Sequence, residues 1–104
     1  NQDHISTFKA TMAAARYVPN VFCYEQIPIP RHTENPMKVN YYSDITKTFA
    51  RKIQASKCHE SQFKKYEEAG FDVERNLKGM AQYRGIEANC EYAEAFQIIK
   101  MVGE

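Results

Sequence analysis

The sequence lacks a dominant charge, a long apolar run and any dense cluster of cysteines. Lys and Arg number 14 against 13 Asp and Glu, which leaves a formal net charge of +1. The two signs are interspersed, so the basic excess that carries phosphate-backbone binding is missing and a nucleic-acid partner is not expected. No uninterrupted apolar stretch approaches the ~20 residues needed to span a bilayer. No basic segment followed by an apolar one opens the chain, so no signal peptide is visible. The three cysteines, Cys23, Cys58 and Cys90, are too few and too widely spaced for a disulfide framework or a Cys-x-x-Cys zinc site. Their odd number favours reduced thiols in a cytoplasmic setting, each read as a small buried hydrophobe. Gly-rich phosphate loops, Gly-x-Ser-x-Gly elbows, Cys/His dyads, internal repeats and low-complexity tracts are also missing.

What remains is a chain of 104 residues and 12.1 kDa, 43% hydrophobic and 26% charged. That is the composition of a single folded domain. Ile5, Phe8 and Met12 fall at helical spacing beside Ala13, Ala14 and Ala15, and Asp3 is placed to cap, so the pattern predicts a helix over 4–16. Pro19-Asn20 stops it. Val21-Phe22-Cys23-Tyr24 reads as a short buried strand. From Gln26 to Met37, Pro28, Pro30 and Pro36 remove backbone donors, and an irregular stretch of this length in a small domain points to a binding loop. Val39 to Tyr42 is a second short strand. Ser43 and Asp44 are both capable caps for a helix over 45–58 with Ile45, Phe49 and Ile53 on one face. Another helix starts after Phe71-Asp72, with Val73, Leu77 and Met80 as its stripe and Gly85 as its left-handed cap. Tyr92 to Val102 fits helix by propensity at its start and strand by its Phe and Ile content.

The groups that carry chemistry are few. His4, beside Asp3 at the positive end of a helix, is held neutral there and is open to a metal; the competing role is a surface His in a capping turn. One His with no second ligand nearby does not hold zinc, which takes three protein ligands at a catalytic site. His32 lies in the proline-rich stretch and reads as solvent-exposed. His59 reads as closing the second helix, where a protonated imidazole is favoured. Glu25 and Glu94 stand near apolar strand segments and read as ordinary strand-end carboxylates. Physical reading alone therefore reaches an α/β domain with one Asp-His pair and no complete site. The abrupt start, Asn1-Gln2-Asp3-His4 running straight into a helical pattern, looks like a chain cut from something longer.

Several stretches, in order, resemble the C-terminal half of the LmbE/PIG-L family of zinc-dependent N-acetylglucosamine deacetylases. Asn1-Gln2-Asp3-His4 resembles that family's His-x-Asp-His motif. Val18 to Glu25 resembles the strand that follows it and ends in Tyr-Glu. Tyr42-Ser43-Asp44-Ile45-Thr46, Lys52-Ile53-Gln54-Ala55 and His59-Glu60-Ser61-Gln62 resemble its Asp-Ile-Thr, Lys-x-x-Ala and His-x-Ser-Gln run. Arg84-Gly85 and Tyr92-Ala93-Glu94-Ala95-Phe96 resemble its closing motifs, which tips the last segment towards strand. The match covers nearly the whole chain.

The resemblance implies a Rossmann-like α/β sandwich with a mostly parallel sheet, of which residues 1–104 form one partial domain with helices packed on a few strands. It implies hydrolysis of an N-acetyl amide on a sugar or sugar conjugate by a metal-bound water. His4 takes the place of a metal ligand, and Asp3 that of the group orienting it. Asn1 replaces the first His of the motif; Asn donates a hydrogen bond to an oxyanion but transfers no proton. The family's N-terminal His-Pro-Asp-Asp-Glu-type motif, source of the other zinc ligands and the general base, is absent. The expectation is a cytoplasmic, inactive portion of a deacetylase that needs the other half, with Gln26 to Met37 shaping the substrate mouth. The alternative is a non-catalytic interaction module that kept half the fold, its open sheet edge covered by a partner or by a second copy.

Overall fold

The computed structural model describes residues 2–26 and 37–103, with residues 2–4 described by their backbone alone. The expectations placed on Asn1, on His32 and on residues 27–36 of the proline-rich stretch lie outside the described residues. The chain is a mixed α/β structure, as the sequence predicts. It begins with α1 (Gln2–Ala14), whose last turn tightens into a 3-10 turn over Ala15–Tyr17. There follow β1 (Val21–Tyr24), β2 (Tyr41–Asp44), α2 (Phe49–Lys57), α3 (Glu60–Glu68), α4 (Val73–Ala88) and β3 (Ala93–Lys100).

The sheet has the order β1-β3-β2, and both pairings are antiparallel. This departs from the mostly parallel sheet that the resemblance implies. β1 and β2 run in the same direction, but β3 enters between them reversed, so the two parallel strands never touch. Tyr24 pairs with Phe96 on one side and Tyr41 pairs with Phe96 on the other. The two outer strands are therefore staggered, β1 covering the second half of β3 and β2 the first.

β2 starts two residues later than its apolar pattern suggests, and residues 38–40 meet β3 by one backbone bond, Asn40 amide to Phe96 carbonyl at 3.0 Å, with the rest made by side chains. The Asn40 side chain accepts from the Ile98 amide at 2.7 Å and donates to its carbonyl at 3.4 Å, and the Lys38 amide donates to Gln97 Oε1 at 3.1 Å. Asp44 does not cap a helix at 45. Its carboxylate instead accepts from the Thr46 amide at 3.0 Å and the Thr46 hydroxyl at 2.6 Å, a local turn that delays α2 to Phe49.

α3 is absent from the sequence reading. Gly70, at φ 80°, ends it, and the Phe71 amide donates back to the Tyr66 carbonyl at 2.7 Å, with the two rings in contact. His59 thus sits between two helices, immediately before α3, rather than simply closing the second.

α4 starts as expected: the Asp72 carboxylate accepts from the Arg75 amide at 3.0 Å. It does not end at Gly85. The left-handed residue is Asn89, at φ 60°. Gly85 is buried inside α4 for another reason: a Cβ there would stand 2.6 Å from the carbonyl oxygens of both Cys90 and Glu91. Small residues also let α4 lie close on the sheet, since Ala81, Ala93 and Ala95 are all buried. Phe49 and Val73 complete the buried apolar set among the described residues, with Phe49 stacked on Tyr92 at 4.1 Å between ring centroids.

The cysteines do not fill the core as expected. Cys58 is exposed and Cys23 and Cys90 are half-buried, because the core is built from Ala and Gly at the α4–β3 contact and has little room for larger groups.

Candidate functional site

Asp3 and His4 fall in the first turn of α1. Asn1 lies outside the described residues. Among the described residues no group of three His, Cys, Asp or Glu is gathered closely enough to hold a metal ion. The side chains of Asp3 and His4 lie outside that description.

The polar chemistry that the fold does assemble is centred on Arg84, on the sheet-facing side of α4. Its Nε and Nη2 donate to the two oxygens of Glu25, each at 2.8 Å, in a bidentate fork. Its Nη1 donates to Glu87 Oε1 at 2.7 Å, and the Tyr42 hydroxyl donates to that same oxygen at 3.1 Å. The Arg84 and Glu25 side chains are each only 16% exposed. One guanidinium thereby ties the exit of β1 (Glu25), the helix α4 (Glu87) and the strand β2 (Tyr42).

The fork from Glu25 holds Arg84 charged well above its ordinary range. Its bond to Glu87 holds that carboxyl below the usual value. Partial burial, and then the bond to Glu87, push the Tyr42 phenol upward. The arrangement is a charged clamp: three Arg84 N–H donors are bonded to Glu25 and Glu87, and both Glu25 oxygens are engaged.

A second pair stands nearby. Lys52 Nζ of α2 lies 2.7 Å from Glu94 Oε1 of β3. Glu25, Lys52 and Glu94 line one cleft of about 390 Å³, with Tyr24, Met80 and Phe96 among its apolar walls. A larger cleft of about 470 Å³ lies at the other end of α4, where Lys57 pairs with Glu74 at 3.0 Å beside Phe63 and Phe71.

A third cluster closes the start of β3. The Tyr92 amide donates to Thr46 Oγ1 at 3.3 Å, the Ile45 amide donates to the Tyr92 carbonyl at 2.9 Å, and Cys90 Sγ lies 3.3 Å from that carbonyl. Burial and the neighbouring Asp44 carboxylate push the Cys90 thiol up, which suppresses its thiolate.

Glu25 and Glu94 are therefore not free strand-end carboxylates; each has a cationic partner from a helix. Arg84 and Tyr42 carry no function in the sequence reading. The signal available for Arg84 was its place three residues before Glu87 on one helix face, but its distant partner Glu25 left no local trace.

Comparison with protein-family models, curated proteins and solved structures returns no match. The chain's assignment therefore rests on its own residues and geometry. No helix among the described residues is long and apolar enough to cross a membrane.

Proposed function

We propose that this chain is the C-terminal part of a metal-dependent sugar N-deacetylase of the LmbE/PIG-L type, completed by a half-domain that brings the remaining metal ligands and the general base. The observation that supports this reading is the pairing of the motifs on which the resemblance rests. Glu25, from the strand ending in Tyr-Glu, is bound by Arg84 of the Arg-Gly pair. Lys52, from the Lys-x-x-Ala segment, is bound to Glu94 of the Tyr-Ala-Glu-Ala-Phe strand. Thr46, from the Asp-Ile-Thr turn, is bonded to Tyr92 of that same strand. Gly85 of the Arg-Gly pair meets the loop that leads into it. Residues scattered over the chain as separate motif fragments become mutual contacts, which is what a motif set inherited from one fold requires.

On this reading the described elements are the closing portion of a Rossmann-like sandwich, and the parallel strands of its sheet belong to the other half. His4 supplies one metal ligand from the first turn of α1, and Asp3 orients it. Asn1 stabilises the oxyanion by hydrogen bonding without moving a proton. The substrate is an N-acetylated sugar or sugar conjugate. On this reading the catalytic steps belong to the completed site, to which the other half brings the remaining ligands and the general base.

Native and denaturing mass spectrometry of the protein from its source tests the reading. A second polypeptide, or a parent mass above 12.1 kDa, is expected, and that species should release acetate from N-acetylglucosamine conjugates until His4 is replaced by Ala. A lone species of this mass with no partner overturns it. The alternative, a non-catalytic module working as a homodimer, is favoured by the uncovered apolar groups Phe22 and Tyr41, and the same experiment would find it as twice the chain mass.

A further inference from the structure

We propose that the cleft bounded by Tyr24, Lys52 and Glu94 is a binding site for a neutral sugar ring. Lys52 and Glu94 bond its hydroxyls, and Tyr24 lies against its apolar face. The ligand class is argued from the cleft's own residues; only the step that makes this sugar the acetylated substrate rests on the reading above.

The sheet leaves room for the cleft. β1 ends at Tyr24, opposite Phe96, while β3 extends back to Ala93 along β2 on its other side. The Ala93–Ala95 part of β3 therefore has no described strand on the β1 side. The cleft of about 390 Å³ opens there, and the buried alanines Ala81, Ala93 and Ala95 line its floor. Its volume lies within the roughly 300–1,000 Å³ of small-molecule sites.

Two ion pairs meet in the cleft, and each is closed on itself. Arg84 holds both oxygens of Glu25, and Lys52 Nζ lies 2.7 Å from Glu94 Oε1. The four charges cancel, so neither sign of ion gains net attraction. An anion drawn to Lys52 must displace Glu94 and then faces Glu25; a cation drawn to Glu94 must displace Lys52.

Hydrogen-bonding capacity is nevertheless left over. An ammonium has three N–H donors, of which Glu94 takes one, and Glu94 Oε2 has no partner among the described residues. The two side chains are 34% and 35% exposed, so a donor and an acceptor stand side by side at the mouth. A hydroxyl both donates and accepts, and two neighbouring hydroxyls satisfy both groups without breaking the ion pair.

The other wall is apolar and aromatic. Tyr24 is 67% exposed, and Met80 and Phe96 stand with it along the cleft. These walls match a ligand that is neutral, hydroxylated around its edge and apolar on its ring faces, which is the distribution in a pyranose. The larger cleft does not share this balance: Lys57 and Glu74 are half-exposed, and Glu67 and Asp72 leave it with an acidic excess.

Amide NMR of the isotope-labelled full chain, titrated with N-acetylglucosamine and separately with inorganic phosphate, tests the site. A ligand of about 15 non-hydrogen atoms at ordinary efficiency binds with a Kd of roughly 1 mM. Saturable shifts are expected at Tyr24–Gln26, Lys52 and Ala93–Phe96 with the sugar, and none with phosphate. Tyr24→Ala, which removes an exposed ring, should weaken sugar binding about fivefold. Lys52→Met should weaken it about tenfold. Glu94→Gln leaves Lys52 without its counter-charge, so phosphate should then shift the Lys52 amide. Lys57→Met, in the larger cleft, should leave the Kd unchanged. The site is overturned by the absence of saturable shifts, by shifts centred on Phe63 and Phe71, or by a phosphate response in the unsubstituted chain. Sugar binding that survives both Tyr24→Ala and Lys52→Met overturns it too. Neither zinc nor the other half-domain enters the titration. Sugar binding without acetate release from the completed protein therefore counts against the deacetylase reading alone, and acetate release without these shifts counts against the cleft alone.

Discussion

Arg84 carries one positive charge between two carboxylates, with 16% of its side chain exposed. Removing it strands Glu25 and Glu87 against each other in a partly desolvated place, and a lost charged hydrogen-bond set of this kind costs about 2–3 kcal/mol. Arg84→Met is expected to lower the midpoint of urea unfolding by that amount. Arg84→Lys should recover only part of it, because a single ammonium does not reproduce the fork. The same clamp sets the acid response. Glu87 is held below its usual 4.5 by Arg84. Its folded-state value is thus lower than its unfolded one, so it contributes stability that is present above the unfolded value and is lost as pH falls through the folded one. Melting temperature followed from pH 7 to pH 3 should drop over the acid end of that range. In Arg84→Met the part of the drop due to Glu87 should disappear. An acid limb of unchanged steepness in the variant would mean that Glu87 is not held by Arg84 in solution.

Within α4, two glycines make opposite predictions. A Cβ on Gly79 meets nothing within 4 Å, whereas one on Gly85 meets two carbonyl oxygens at 2.6 Å. Gly79→Ala should therefore stabilise the protein by about 0.5–1 kcal/mol through helix propensity alone. Gly85→Ala gains the same propensity, yet it must push α4 off the loop that leads into β3. A net loss of about 1–3 kcal/mol is expected by chemical denaturation. If both substitutions stabilise, the close approach at Gly85 does not exist. The elements themselves were unevenly legible. α1, β1 and the Asp72 start of α4 follow from local signals: an apolar stripe, a short β-branched and aromatic run, a capping carboxylate. α3 was missed because Phe63 and Tyr66 give only a sparse stripe among charged neighbours, although Gly70 marks its end. Gly85 was read as a cap because glycine serves both left-handed turns and close approaches, and only the fold distinguishes them. The Arg84–Glu25 clamp joins residues 59 apart, a separation that no periodicity encodes.

At the scale of the whole molecule, five apolar side chains are buried among the described residues, three of them alanines. A core this thin argues for modest stability and for dependence on whatever covers the rest. On the deacetylase reading the isolated chain is expected to bind zinc weakly and to release no acetate. Equilibrium dialysis against zinc provides the check, and tight stoichiometric binding by the lone chain would contradict it.

The sheet order has a further consequence, for the timing of folding. Among the described residues both outer strands pair only with β3, which follows every other described strand and helix. As the chain is made from N- to C-terminus, β1 and β2 are therefore complete before the strand they share in this sheet, while the helices form from local contacts. The β1–β3 pair closes over some 70 residues of chain, Tyr24 waiting for Phe96, against about 50 for Asp44 and Ala93 in β2–β3. Nascent chains stopped just before Ala93 should hold helix but not this three-stranded sheet, and the apolar VFCY segment, without β3 beside it, would be the stretch of this sequence most in need of shielding.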